Sequence, residues 1–281
     1  MNNAPYSRGI FYFRAMQFQS FNGQLIPVNQ PALLLSNRGF KFGDGVFETM
    51  RVVKGAVHLA PYHFDRLFSS LELLQIRTAF TASLLTKSIG DVLSANGLTG
   101  IARVRLAVYR TEEGEGAYTI EASGLPEEKI LWNDRGWTIN MYPYARKGVD
   151  AFAGLKSASY LPFVMADRFA QEKGWDEALV LNCHNHLCEA SKANIFLVRQ
   201  TGILTPALHQ GCVNGVMRRY VVEELKKKGC EVIQGEVTLQ DLEEAEEVFL
   251  TNALQGIKWV RHFRDKQYSC AQTKSLHDLL F

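Results

Sequence analysis

Hydrophobic periodicity is lost between about Tyr142 and Lys156 (YPYARKGVDAFAGLK), and this gap constrains the fold more than any other feature. It divides the 281-residue chain into two parts of different pattern. Before the gap, strand signals dominate. Phe21-Asn22-Gly23 is a hairpin turn signal, and the β-rich runs ETMRVV and AVHLA flank Lys54-Gly55. Ala102–Tyr109 alternates, with Val104, Leu106 and Val108 facing one way and Arg103 and Arg105 the other. Two helices interrupt these strands. One opens at Pro61, where Phe64, Leu67, Leu71 and Leu74 follow three- and four-residue steps, and the other covers Thr81–Ala95.

After the gap, helices and strands take turns. The pattern predicts a helix over about Pro162–Lys173 and a hairpin pairing ALVLN with HLCEASKANIFLV. A helix after Gly215, strand EVIQG, a short acidic helix near Leu239–Ala245 and strand VFLTN follow. The expected fold class is mixed α/β (α+β) in two domains with a cleft between them. Its expected parts are an N-terminal extension (1–16), a small α+β domain (17–145), a linker (146–155) and a larger α/β domain (156–281).

Composition excludes several functions. The chain is 47% hydrophobic and 21% charged, so it can bury a core and does not read as disordered. Net charge is +2, and the one dense basic run, Lys226-Lys227-Lys228, suits the negative end of a helix better than a nucleic-acid backbone. No apolar stretch approaches the ~18–20 residues that span a bilayer. The N-terminus lacks the apolar core of a secretion signal. Five unpatterned cysteines read as reduced thiols, and a cytoplasmic location is expected.

Individually, the polar residues are ordinary. Lys156 is one lysine among many, Glu189 could be a polar strand position, and Arg66 could pair with a neighbouring acid. Their order is not ordinary. GDGVFETMR (43–51), HFDRL (63–67), LKSASYLP (155–162), DEALVLN (176–182), EASKANIFLV (189–198), the Thr205-Pro206…Gly211…Gly215 segment and FLTNALQGI (249–257) occur in sequence. On these motifs the chain resembles the class-IV aminotransferases of pyridoxal-phosphate fold type IV. That family includes branched-chain aminotransferase, D-amino-acid aminotransferase and aminodeoxychorismate lyase. The resemblance runs from Phe21 to about Val260.

The resemblance implies pyridoxal 5′-phosphate (PLP) as cofactor, held by the 156–281 domain, with Lys156 forming the Schiff base and moving the substrate Cα proton. It implies that Glu189 holds the pyridine nitrogen protonated through a charge-assisted hydrogen bond. Arg66 matches the phosphate-binding arginine, and the helix opening at Asn214-Gly215 offers the Val216 and Met217 amides to the same phosphate. Asn194 and Tyr160 match family residues near the cofactor, with packing support equally open for both. It also implies a homodimer acting on a small amino substrate; the charge and hydropathy pattern points to no nucleic-acid or membrane partner.

Departures bear on the reaction. Met217 stands where many transaminases carry threonine, and Ala253 lies where they carry a hydroxyl. The phrase TNALQGI leans toward 4-amino-4-deoxychorismate lyase, with transamination of branched-chain or D-amino acids as the alternative. A non-catalytic PLP-binding homologue would be expected to lack Lys156 or Glu189. The loop Thr111–Gly116 is acidic, with Glu115 where a base would hold a substrate carboxylate; Arg110, Arg103 and Arg105 are the remaining candidates. Cys183-His184-Asn185-His186-Leu187-Cys188 matches no standard zinc spacing, and no metal is expected.

Overall fold

The computed structural model describes residues 16–281. The expected N-terminal extension, apart from Met16, lies outside the described residues. Among those described, two sheets divide the strands. The first is six-stranded and antiparallel, in the order β2-β1-β6-β5-β3-β4. Its strands are β1 (Phe18–Phe21), β2 (Gln24–Pro27), β3 (Gly45–Val53), β4 (Ala56–Val57), β5 (Ile101–Arg110) and β6 (Gly116–Gly124). Asn22 and Gly23, both at positive φ, make the tight β1–β2 turn that the sequence signals.

A short helix α1 (Arg38–Phe42) precedes β3. Helices α2 (Ala60–Leu73) and α3 (Ala82–Ala95) pack on one face of the sheet. There Leu67 and Leu71 of α2 and Leu85, Ile89 and Val92 of α3 meet Val104, Leu106 and Val108 of β5. The alternation therefore leaves Arg103 and Arg105 on the opposite face. Thr49 and Arg51 of β3 pair with them in register.

The second sheet runs β12-β11-β10-β13-β14-β7-β8-β9, with β15 on β14. Its members are β7 (Trp137–Lys147), β8 (Glu177–Asn182), β9 (Leu187–Ala190), β10 (Asn194–Arg199) and β11 (Gly202–Pro206). They continue with β12 (Val232–Gly235), β13 (Glu247–Asn252), β14 (Gly256–Phe263) and β15 (Lys266–Gln267). Helices α4 (Leu161–Lys173), α5 (Val216–Lys227), α6 (Leu239–Glu244) and α7 (Ala271–Leu280) accompany it. α6 starts with a capping box between Thr238 and Asp241.

Two boundaries differ from the sequence reading. The chain leaves the first sheet after Gly124, because β7 hydrogen-bonds to β14 and β8; the expected small-domain span to residue 145 included most of this strand. The expected hairpin also divides. β8 pairs with β9, but the chain turns at Ser191–Ala193, where Ala190 N–H donates to Ala193 C=O, and β10 joins β11 and β13 instead. Continuous burial of both β8 and β10 removed the face alternation that would have separated them.

The two sheets meet at the end of the aperiodic stretch. Phe47 N–H donates to Lys156 C=O at 2.9 Å and Ala158 N–H to Gly45 C=O at 2.9 Å, closing an antiparallel bridge between Val46 and Ser157. This bridge fixes Lys156 against β3.

Candidate active site

A cavity of about 450 Å³ opens between the sheets, within the size range of small-molecule sites. Lys156, Arg66, Glu189, Asn194, Tyr160, Val216 and Met217 all line it. The Lys156 amine lies 4.5 Å from the Phe47 ring centroid and 5.1 Å from that of Tyr160. Enclosure by these walls, reinforced by the Arg66 cation, lowers its pKa to about 8, against the opposing pull of Glu48 and Glu189. A lysine so placed is far more often neutral at pH 7 than one in water.

Arg66 is aimed by a residue the sequence reading did not single out. Glu48 sits on the core face of β3 with Val46 and Met50, and its carboxylate accepts from Arg66 Nε at 2.7 Å and Nη2 at 2.5 Å. His63 Nδ1 lies 2.6 Å from the same carboxylate. Burial alone would raise the Glu48 pKa; Arg66 and His63 outweigh it and bring it down to about 2. Arg66 Nη1 donates to Asn214 C=O at 3.0 Å. A guanidinium has five N–H donors, so two remain for a ligand. The signal was present: an acid at a core-facing step of an apolar strand, with His63 and Arg66 on one helix face.

The start of α5 forms the adjoining wall. Gly215 is its N-cap and provides no side-chain cap, so the Val216 and Met217 amides have no partner within the helix. Asn194 Nδ2 donates to Val213 C=O at 3.0 Å, and its Oδ1 lies 1.8 Å from where a Cβ on residue 215 would stand. Glycine is thus required here by close approach, and Asn194 positions the loop that carries the amides. Thr251 also lines the cavity, and its buried hydroxyl has no hydrogen-bond partner among the described residues.

Glu189 is oriented from behind. Val213 N–H lies within 3.1 and 3.2 Å of its two oxygens, and Lys147 Nζ lies 2.5 Å from Oε1. Tyr160 donates to Ser191 C=O at 3.3 Å and packs edge-on to Phe47 at 5.2 Å. Burial and the Glu189 charge raise its phenol pKa, so it stays protonated.

The arginine candidates separate. Arg103 and Arg105 line the cavity, Arg105 lying 3.8 Å over the Phe47 ring. Arg110 does not line it. Its guanidinium bonds Asp44 and the carbonyls of Leu74 and Gln75, so it braces the loop entering β3 rather than meeting a substrate. Lys129 and Lys192, which the sequence reading did not name, add cations to the wall. The Cys183–Cys188 segment is the β8–β9 turn: Asn182 Oδ1 accepts from the His184 and His186 amides, and Cys188 is buried.

Residues 45–263 match the amino-transferase class IV family. The chain belongs to the class-IV aminotransferases. It is an enzyme of that family, whose members use PLP. A Methanocaldococcus jannaschii protein provisionally named a branched-chain-amino-acid aminotransferase is 31% identical, with 82% of each chain covered. An aminodeoxychorismate lyase of Vibrio harveyi is 30% identical over 79% of this chain and 84% of its own. The branched-chain aminotransferase of Thermoproteus uzoniensis, solved with norvaline, has the same fold at a TM-score of 0.84. It is 21% identical, with 94% of this chain and 93% of its own covered. No helix among the described residues is long and apolar enough to cross a membrane.

Proposed function

We propose that this class-IV enzyme holds PLP in the cavity and converts 4-amino-4-deoxychorismate to pyruvate and 4-aminobenzoate. The observation that carries the cofactor assignment is convergence: one amine, one guanidinium edge and a set of helix amides that are unpaired among the described residues, and one oriented carboxylate share a single cavity. The fit is chemical. Arg66 and the Val216 and Met217 amides supply donors for a phosphate. Thr251 offers a hydroxyl that lacks a partner among the described residues. Glu189 is the carboxylate for a ring nitrogen, and Lys156 the amine for an aldehyde. When bound, the cofactor supplies an electron sink at the carbon bearing the substrate amine.

The protein's own groups do the rest. Lys156, with its pKa near 8, takes and holds the proton from that carbon. Glu189 keeps the ring proton in place through a contact that Lys147 and Val213 orient. Phe47 and Tyr160 cover the amine and limit water around it. Arg103, Arg105 and Lys129 face the substrate side, where several cations suit a doubly carboxylated substrate. Ala253, in the Asn252–Gln255 loop, adds no hydroxyl of its own to the lining.

Transamination of branched-chain or D-amino acids with 2-oxoglutarate is the second reading, favoured by the similarity to the M. jannaschii protein. One experiment separates the two. Purified protein with PLP is offered aminodeoxychorismate alone, and separately L- and D-amino acids with 2-oxoglutarate. Pyruvate release without a keto acid is expected; turnover only of amino acids with 2-oxoglutarate overturns the lyase assignment. A protein that stays colourless with PLP overturns the cofactor assignment.

We further propose a cytoplasmic homodimer. Leu34, Leu35, Phe40 and Phe42 are 66–83% exposed around α1, an apolar surface suited to a second copy.

A further inference from the structure

A second cavity, of about 300 Å³, adjoins the first and shares Lys129, Lys192 and Gln255 with it. Apart from Lys129, nothing in the reaction described so far uses it. Three carboxylates and four cations line it, and most of them are already matched. Arg135 pairs with Asp176, and Lys192 lies 2.5 Å from Asp167 and 3.9 Å from Glu177. The Ser191 hydroxyl donates to Glu177, while Glu128 is exposed at the rim.

Two cations remain without an acid partner among the described residues. Lys129 stands at the junction of the cavities. Lys258, on β14, is only 3% exposed, and its ammonium donates to the Leu131 carbonyl alone. An ammonium has three N–H donors, so two are unused. Gln255, which lines both cavities, accepts from Asn252 Nδ2 at 3.1 Å through its side-chain oxygen, and its side-chain N–H groups have no acceptor among the described residues. A buried ammonium without a counter-charge is costly, and burial together with Lys129 and Arg51 lowers its pKa to about 8. An arriving anion would relieve that cost.

We propose that Lys258, Lys129 and Gln255 form a subsite for a carboxylate on the part of the substrate farthest from its reacting amine. This rests on reading the first cavity as the site of the amine. It defines the substrate class as an amino compound with a distal carboxylate. In aminodeoxychorismate, the ring carboxylate lies across the ring from the amine and meets that description. Lys258 is then a specificity residue that reads charge at the distal end and takes no part in proton transfer.

The test compares 4-aminobenzoate with 4-aminobenzamide, its uncharged analogue of similar shape, by calorimetric binding to the PLP-loaded protein. The wild type is expected to prefer the carboxylate at least about tenfold, the order of one charge-assisted hydrogen bond. Lys258→Met should bring the two affinities together, and Lys258→Arg should restore part of the preference. A lysine that served only to hold Leu131 would lower thermal stability and weaken both ligands alike, which overturns the proposal. Lys129→Gln, at an exposed position, supplies a second variant and should lower the preference partially. Pyruvate release from aminodeoxychorismate by a wild type without charge preference overturns the subsite and leaves the lyase intact. A charge preference that depends on Lys258 in a protein releasing no pyruvate sustains the subsite and overturns the lyase.

Discussion

At the scale of single residues, burial favours the neutral form of both Lys156 and Glu48, and their neighbours decide the outcome. Arg66 adds to the cost of charging Lys156, with Glu48 and Glu189 opposing it, whereas Arg66 and His63 overcome that cost for Glu48. With its pKa near 8, the neutral fraction of the Lys156 amine rises with pH and levels off above that value. The rate of PLP uptake by cofactor-free protein should follow the same curve. Stopped-flow absorbance checks this, and a midpoint near the ordinary lysine value of 10.5 would contradict it. Glu48 has a folded pKa of about 2, below its ordinary value of 4.5. It therefore contributes stability above pH 4.5 that is lost as pH falls toward 2. Urea denaturation across that window should show a steeper loss for wild type than for Glu48→Gln. Glu48→Ala, which leaves Arg66 buried without its acid, should cost about 3–5 kcal/mol at neutral pH.

At the scale of elements, the site depends on where α5 begins. Gly215 and Asn194 are in contact, and any side chain at residue 215 pushes on Asn194 Oδ1. Gly215→Ala should lower PLP affinity by more than about tenfold by displacing the Val216 and Met217 amides. Asn194→Ala removes the clashing atom as well as the bond to Val213. The double variant should therefore lose less than the sum of the two single variants, with a coupling of about 0.5–3 kcal/mol. Additive losses, measured by equilibrium dialysis of PLP, would show that the contact is not what holds the helix start. The helices and the β5 alternation were legible because their periodicity is local. The β8–β9–β10 segment was not, since fully buried strands lose the alternating face that marks where one ends.

At the scale of the whole molecule, the first sheet presents Phe47, Thr49, Arg103 and Arg105 to a cavity whose far wall comes from the second sheet. Neither half has a complete site. The apolar surface at Leu34, Leu35, Phe40 and Phe42 lies on the segment leading into β3, which contributes both to Lys156 placement and to the pocket wall. Replacing Leu34 and Leu35 with Asp should shift the proposed dimer to monomer in sedimentation velocity, leaving far-UV circular dichroism unchanged. A wild type that is monomeric at micromolar concentration would dismiss the dimer.

The sequence by itself determined which chemistry the chain could bring. An ordered set of motifs supplied Lys156, Arg66, Glu189 and the Gly215 helix start, and local periodicity placed them on strands, helices and turns. Only the tertiary structure decided which partners each group meets. Glu48 reaches Arg66 across 18 residues, Lys147 reaches Glu189 across 42, and Asn214 meets Arg66 across 148. It likewise turned Arg110 away to Asp44, left Arg105 in the cavity, and buried Lys258 without an acid among the described residues. The reason is physical. The pattern of one segment records which face is buried, whereas the charge of a site depends on partners from segments that meet only once the sheets have formed.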